Sequence, residues 1–302
     1  MALVKSLSVG NGDMFYIRHN SSNFTIIDCC MGDDLKEAIV EEVKAESAGK
    51  EITRFISTHP DEDHILGLAY LDEQITIRNF YCVANQATKD DPSLSFEHYC
   101  QLRDSDIAYN VYKGSKRKWM NQSGDGRDSS GINIHWPDVN HESYQAALED
   151  AAAGLAFNNM SLVARYSVAG GATFMWIGDL HTKFMEEIFD SIDLPKTTVV
   201  FAPHHGRKSG KIPNSWLEKL DPQIIVIGEA PARHLNYYSG YKIITQNKAG
   251  DIILDAVGEK VHIYVSEDGY GTRFDDFDNE NMSEYDNYVG SITVETEYTL
   301  DG

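Results

Sequence analysis

The sequence predicts an α+β protein built from two β-sheets with helices on their outer sides. Two patterns point there. Alternating strand signals joined by tight turns dominate both ends of the chain, and helical periodicities lie between them. That arrangement argues against a doubly wound parallel sheet, and no internal repeat disturbs it.

Taken in order, Val4 to Val9 alternates, Gly10 to Asp13 turns, and Met14–Arg18 and Phe24–Asp28 complete a meander. Leu35, Ile39 and Val43 fall at four-residue spacing and predict a helix over 34–47. Ile52–Ile56 is apolar and β-branched with one charge, a buried strand; a helix follows from Ile65 to about Asp72, then a strand over Ile75–Val83. From Ala84 to Gly131 the pattern loosens around one helix (Phe96–Asp104), a basic knot at 113–118 and a Gly/Ser/Asp loop at 123–131. Residues 84–131 are therefore expected to be an inserted or substrate-facing segment.

Beyond it, Ile132–Trp136, Leu162–Val168, Thr173–Ile177, Thr198–Ala202 and Gln223–Ile227 read as strands. Helices are expected at Glu142–Ala153, His181–Ile192 and Asn214–Leu220, and strands near 242–245, 251–256 and 260–265 close the ordered part. One domain is thus expected over 1–265, followed by a tail at 266–302.

Composition narrows the possibilities. The 302 residues are 42% hydrophobic and 24% charged, an ordinary balance for a chain with a substantial core. No run approaches the roughly 18 apolar residues of a membrane helix, and the N-terminal ten residues lack a long apolar segment, so a cytoplasmic protein with no membrane partner is expected. Cys29, Cys30, Cys82 and Cys100 form no CxxC pair and read as buried thiols in a reducing compartment. The formal charge of −21 argues against broad nucleic-acid affinity but not against a local groove. Eleven acids against Arg273 alone give residues 266–302 a charge of −10, an acidic aromatic segment suited to docking a protein partner. Within it, Ser291 to Thr299 could add as a strand to a sheet edge.

Three strand ends carry groups able to bind a metal. The first, Ser57 to Leu68, packs His59, Asp61, Asp63 and His64 between a strand and a helix. Asp179 follows the strand ending at Ile177, and His204-His205 follows the one ending at Ala202. Carboxylates and imidazoles crowded together are costly unless a cation offsets them, and helix capping needs one acceptor where this turn offers four ligands.

His59-Pro60-Asp61-Glu62-Asp63-His64 resembles the HxHxDH signature of the metallo-β-lactamase superfamily, with Asp61 at the second histidine position. Gly178-Asp179 is similar to the family's bridging aspartate and His205-Gly206 to its last histidine. Val9 to Asp13, Ile26 to Asp28, Asn159 to Val163 and Ala202 to Gly206 extend the likeness toward the branch containing the hydrolase domain of competence DNA-uptake channels. The resemblance covers about residues 4–265 and implies a four-layer αββα sandwich with two divalent ions, zinc or manganese. His59 and Asp61 would hold the first ion, Asp63, His64 and His205 the second, and Asp179 both. The family's third-motif histidine has no counterpart near 157–161, where the chain offers the amides Asn158 and Asn159, the latter a candidate weak ligand. An oxygen-rich first site favours manganese or magnesium over zinc.

The expected activity is hydrolysis of a phosphodiester, in a nucleic acid or a nucleotide, by a metal-activated hydroxide. Asp63 would orient that hydroxide, His204 would contact a phosphate oxygen or protonate the leaving group, and Lys116, Arg117 and Lys118 would contact substrate phosphates. The alternatives are an ester, amide or lactam hydrolase, and a regulatory component acting through the acidic tail.

Overall fold

A computed structural model describes residues 2–231, 233, 236–271, 285 and 287–295 of the chain. The strands are β1 (Ala2–Ser6), β2 (Phe15–Arg18), β3 (Asn23–Ile27), β4 (Ile52–Ile56), β5 (Phe80–Cys82), β6 (Ala108–Asn110), β7 (Ile132–Trp136), β8 (Val163–Ser167), β9 (Thr173–Trp176), β10 (Val199–Phe201), β11 (Ile224–Ile227), β12 (Ile243–Thr245), β13 (Ile252–Val257), β14 (Lys260–Val265) and β15 (Tyr288–Thr293). The helices are α1 (Lys36–Glu46), α2 (Glu62–Ile65), α3 (Leu68–Ile75), α4 (Leu94–Arg103), α5 (Glu142–Ala152), α6 (Thr182–Glu187), α7 (Asn214–Leu220) and α8 (Gln246–Ala249).

Two sheets form, of nine strands (β15-β14-β13-β1-β2-β3-β4-β5-β6) and six (β12-β11-β10-β9-β8-β7). Strands β3 to β6 run parallel, as do β9 to β12, so each sheet sends a set of C-terminal strand ends to one edge. Alternation along β2 explains the layering. Phe15 faces inward and packs 4.8 Å from Phe201, which stacks 4.8 Å from Trp176, joining the two sheets. Tyr16 points outward, where its hydroxyl donates to Glu42 of α1 at 2.7 Å; Lys5 donates to the same carboxylate at 2.6 Å. On the other outer face, Trp136 of β7 meets Tyr144 of α5 and Phe184 of α6 edge-on. The result is the four-layer αββα sandwich that the resemblance implies.

Several elements differ from the sequence-based expectation. Residue 75 ends a helix: Asp72 takes the Thr76 amide on its carbonyl and the Ile77 amide on its side chain, so β5 begins only at Phe80. The 84–131 segment is not a loose insertion. Helix α4, capped by Ser93, packs on β5; β6 extends the sheet; and Met120 is fully buried. The nine-stranded sheet also continues past residue 265, because β15 pairs antiparallel with β14 and buries Val289 and Ile292. The rest of the acidic tail, 272–284, 286 and 296–302, lies outside the described residues. All four cysteines are free thiols, three of them buried.

Candidate metal centre

The three ligand-bearing strand ends converge on the edge between the sheets. After β4 the chain turns through Ser57–Pro60 into α2, where Asp61 occupies the N-cap position without capping the helix with its side chain. Main-chain hydrogen bonds pin this turn on three sides. Cys29 N–H donates to the His64 carbonyl, Asp13 N–H to that of Asp63 and Leu162 N–H to that of Thr58. Asp179 follows β9 through Gly178, whose φ of +58° suits glycine and whose Cβ, were there one, would lie 2.6 Å from that of Ser161. The close approach lets Ser161 Oγ accept the Asp179 amide at 3.0 Å. His204 and His205 after β10 both hold φ of +53°, a strained pair of non-glycine residues of the kind that persists at functional sites.

The buried imidazoles are oriented from behind. His64 Nδ1–H donates to Asp28 Oδ2 at 2.8 Å, and Thr58 Oγ1 donates to the same oxygen at 2.6 Å. With its proton so used, Thr58 Oγ1 accepts His59 Nδ1–H at 3.1 Å. His205 Nδ1–H donates to Asp13 Oδ1 at 2.9 Å. Each histidine therefore turns its Nε2 lone pair forward, the tautomer a metal ligand requires.

What the Nε2 atoms face is Asp179. His64 Nε2 is 3.1 Å from Asp179 Oδ1; His59 and His205 Nε2 are 3.9 and 3.8 Å from Oδ2. Asp61 Oδ2 lies 3.4 Å from His59 Nε2, and Asp63 Oδ2 lies 3.3 Å from His205 Nε2. Two atoms each about 2.1 Å from one ion sit roughly 3.0–3.4 Å apart, so the shorter spacings fit edges of coordination polyhedra. Three of these atoms, His59 Nε2, His64 Nε2 and Asp179 Oδ1, are buried with no hydrogen-bond partner. The His64–Asp179 pair is close yet lacks hydrogen-bond alignment, as two ligands of a shared ion would. One donor atom each from Asp13, His64, Asp179 and His205 lie within 4.8 Å of one another. The residues present therefore fit a divalent cation.

Electrostatics agree. Burial alone would lower the His64 pKa, but the Asp179 and Asp28 carboxylates raise it well above its ordinary value. For His205, burial is outweighed by Asp13 and Asp179, which push it up to about 10. Burial would raise both carboxylic acids, yet His64 and His205 hold Asp179 well below the usual range, and His205 and His64 hold Asp63 at about 2. The cluster favours positive charge, which protons supply when no ion does.

Of the residues the sequence singled out, His59, Asp61, Asp63, His64, Asp179 and His205 share this one site. His204 joins its rim, with Nε2 3.8 Å from Asp179 Oδ2 and Nδ1 3.0 Å from Ser209 Oγ; burial lowers its pKa. Asn159 turns its Oδ1 to the His181 amide at 3.1 Å, so that oxygen serves the loop before α6. His181 itself stacks on His204 with centroids 5.7 Å apart. Lys116, Arg117 and Lys118 are not brought to the cluster. Their segment is tied by Arg127–Glu51 (2.7 Å) and Asn23–Asp128 (3.1 Å) to the N-terminal ends of β3 and β4, opposite the edge that carries the site. Asp13 and Asp28 were given no role from sequence, although both stand in the segments that carried the resemblance. Their signal was an acid placed in the turn after one strand or directly at the end of another.

Residues 7–150 match the family model described as the metallo-beta-lactamase superfamily. No curated protein matches the chain. Among solved structures it is similar to Igni18, described as a novel metallo hydrolase from the hyperthermophilic archaeon Ignicoccus hospitalis. That likeness has 14% identity and a TM-score of 0.48, covering 84% of this chain and 99% of the other. A Thermotoga maritima protein, titled as a candidate zinc-dependent hydrolase of the same superfamily, shows 11% identity and a TM-score of 0.36 over 80% of this chain and 97% of that one.

Proposed function

We propose, from the match of residues 7–150 to the metallo-beta-lactamase superfamily model and from the candidate metal-binding cluster, that the chain is a metal-dependent phosphodiesterase acting on a nucleotide-derived or nucleic-acid substrate. The observation that carries the reading is a cavity of about 970 Å³ beside the centre. Arg207, Lys183, Lys208 and Lys211 line it against one acid, Glu187, with His181 and Asn159 on the side of the centre. In a protein with 47 acidic residues against 26 Lys and Arg, those four cations make no ion pair with a carboxylate among the described residues, their neighbour Glu187 included. A phosphate-bearing substrate supplies the charge they lack; a neutral lactam or ester does not.

The donor set supports the same class. Three carboxylates (Asp61, Asp63 and Asp179) and three imidazoles, with Asp13 behind His205, make a mixed oxygen and nitrogen site, suited to manganese or magnesium as well as zinc. In this reading His59, Asp61 and Asp179 would hold one divalent ion, and Asp63, His64, Asp179 and His205 a second. A divalent ion, when bound, adds Lewis acidity, lowering the pKa of water and drawing charge off a phosphoryl oxygen. The chain supplies the rest. Asp63, ionised across the neutral range, orients the attacking water through a hydrogen bond. His204 and Arg207, whose Nε2 and Nη1 lie 3.5 Å apart, are placed to contact a non-bridging phosphate oxygen.

The test is a substrate panel. With Mn²⁺ or Zn²⁺, the purified chain should hydrolyse bis(p-nitrophenyl) phosphate or a single-stranded oligonucleotide, and Asp63→Ala should lower kcat/KM at least a hundredfold. Turnover of a chromogenic cephalosporin with neither diester cleaved would overturn the proposal.

A further inference from the structure

The basic knot left over from the active site has surroundings of its own. At the N-terminal ends of β4 and β5 a cavity of about 310 Å³ is bounded by Arg54, Tyr81, Tyr109, Trp119 and residues 116–118, and no acidic side chain lines it. Arg54 is 1% exposed and has no carboxylate partner among the described residues. Its guanidinium is held by neutral acceptors only: Nη1 donates to Thr25 Oγ1 at 3.1 Å, and Nη2 to Asn23 Oδ1 at 2.7 Å and the Trp119 carbonyl at 2.8 Å. Its Nε–H is buried with no acceptor at all. A buried cation without an anion is costly, and removing the charge or pairing it relieves that cost. Guanidinium cannot shed its proton at neutral pH, which leaves pairing.

Two further cations stand at the same mouth. Lys116 and Arg117 are exposed and make no ion pair among the described residues. Arg117 is held in place by stacking, with its guanidinium 4.4 Å from the Tyr109 ring centroid. Lys118 differs, being neutralised by Asp125 at 2.9 Å. Three unpaired cations, one of them buried and preorganised, face one aromatic-walled cavity on a chain of net charge −21.

We propose that this cavity is a second anion site, separate from the metal centre, that binds a small phosphorylated ligand of the phosphomonoester class. The phosphate sits between Arg54 and Arg117, with Lys116 adding charge at the rim. The proposal does not depend on which reaction the metal centre performs.

Trp119 gives a local reporter, since Trp136, Trp176 and Trp216 are no more than 2% exposed while Trp119 is half-buried. Acrylamide quenching of the full chain is measured during titration with inorganic phosphate and, separately, with AMP. A saturable fall in quenching, lost in Trp119→Phe and weakened at least tenfold in Lys116→Glu/Arg117→Glu, is the expected result. Saturation by AMP but not by phosphate means that the ring contributes; saturation by both at similar concentrations assigns recognition to the phosphate alone. The two exposed substitutions leave the core intact, so folding does not obscure the outcome. No saturable change with either probe, or one that survives the double charge reversal, would overturn the site. Persistence of the effect in EDTA, expected here, separates it from phosphate bound at the metal centre.

Discussion

At the scale of single residues, the candidate centre depends on groups that would not touch an ion. Asp28 accepts from both His64 and Thr58, so one carboxylate fixes the tautomers of His64 and, through the threonine hydroxyl, of His59. Asp28→Asn keeps the shape but can present an N–H to His64 Nδ1, which favours the wrong tautomer. Metal affinity measured by competition with a chromophoric chelator should fall 10- to 100-fold while the far-ultraviolet spectrum stays unchanged; unaltered affinity would remove Asp28 from the account. The candidate ligands were legible in sequence because the signature is local: four of them fall within His59 to His64. Asp13 was not, because its partner His205 lies 192 residues away and only the folded chain places one against the other. The same holds for the cations. A run of basic residues at 113–118 is conspicuous in sequence, whereas Lys183, Arg207, Lys208 and Lys211 become one surface only when α6 and the loop after β10 meet.

At the scale of elements, strong periodicity was informative and edges were not. Helix α1 and strands β2, β4, β8 and β9 form close to where the pattern placed them, since each buries one continuous apolar set. The short edge strand β6, Ala108–Asn110, carries no such set and escaped notice. Strand β15 was legible in part: Ser291 to Thr299 was read as able to add to a sheet edge, whereas the strand runs Tyr288–Thr293. It lies in a segment of −10, which obscured its start, and it pairs with Lys260–Tyr264 across a register shift that breaks any simple alternation. Val289 and Ile292 in the strand, and Val294 just after it, are at most 5% exposed. A chain ending at residue 265 should therefore lose on the order of 5 kcal/mol, at about 1.5–3 kcal/mol per buried aliphatic side chain, and expose the β14 edge. The expected outcome is a lower Tm and concentration-dependent association in light scattering. An unchanged Tm would make β15 dispensable.

At the scale of the whole molecule, two sheets deliver carboxylates and imidazoles to one edge from strands far apart in sequence, and the fold must stabilise that concentration of charge. Without an ion, protons on His64 and His205 do so, which is why both are held in the charged form. The sign of the pH effect follows. A histidine whose folded pKa is about 10, against about 6.5 when unfolded, contributes stability that is complete below about pH 6.5 and is lost as pH rises toward 10. The metal-free protein should therefore weaken across that window. The loaded protein, whose ligands need no protons, should hold steady, and metal affinity should rise with pH as proton competition fades. At a metal concentration a thousandfold above Kd, linkage adds about 4 kcal/mol, a Tm difference on the order of 10 °C for a chain of this size. Thermal scans with and without EDTA at pH 6, 7.5 and 9 read this directly. The gap should widen with pH, and His205→Ala should flatten its pH dependence. A gap that narrows with rising pH would mean that the cluster is balanced by something other than protons and metal.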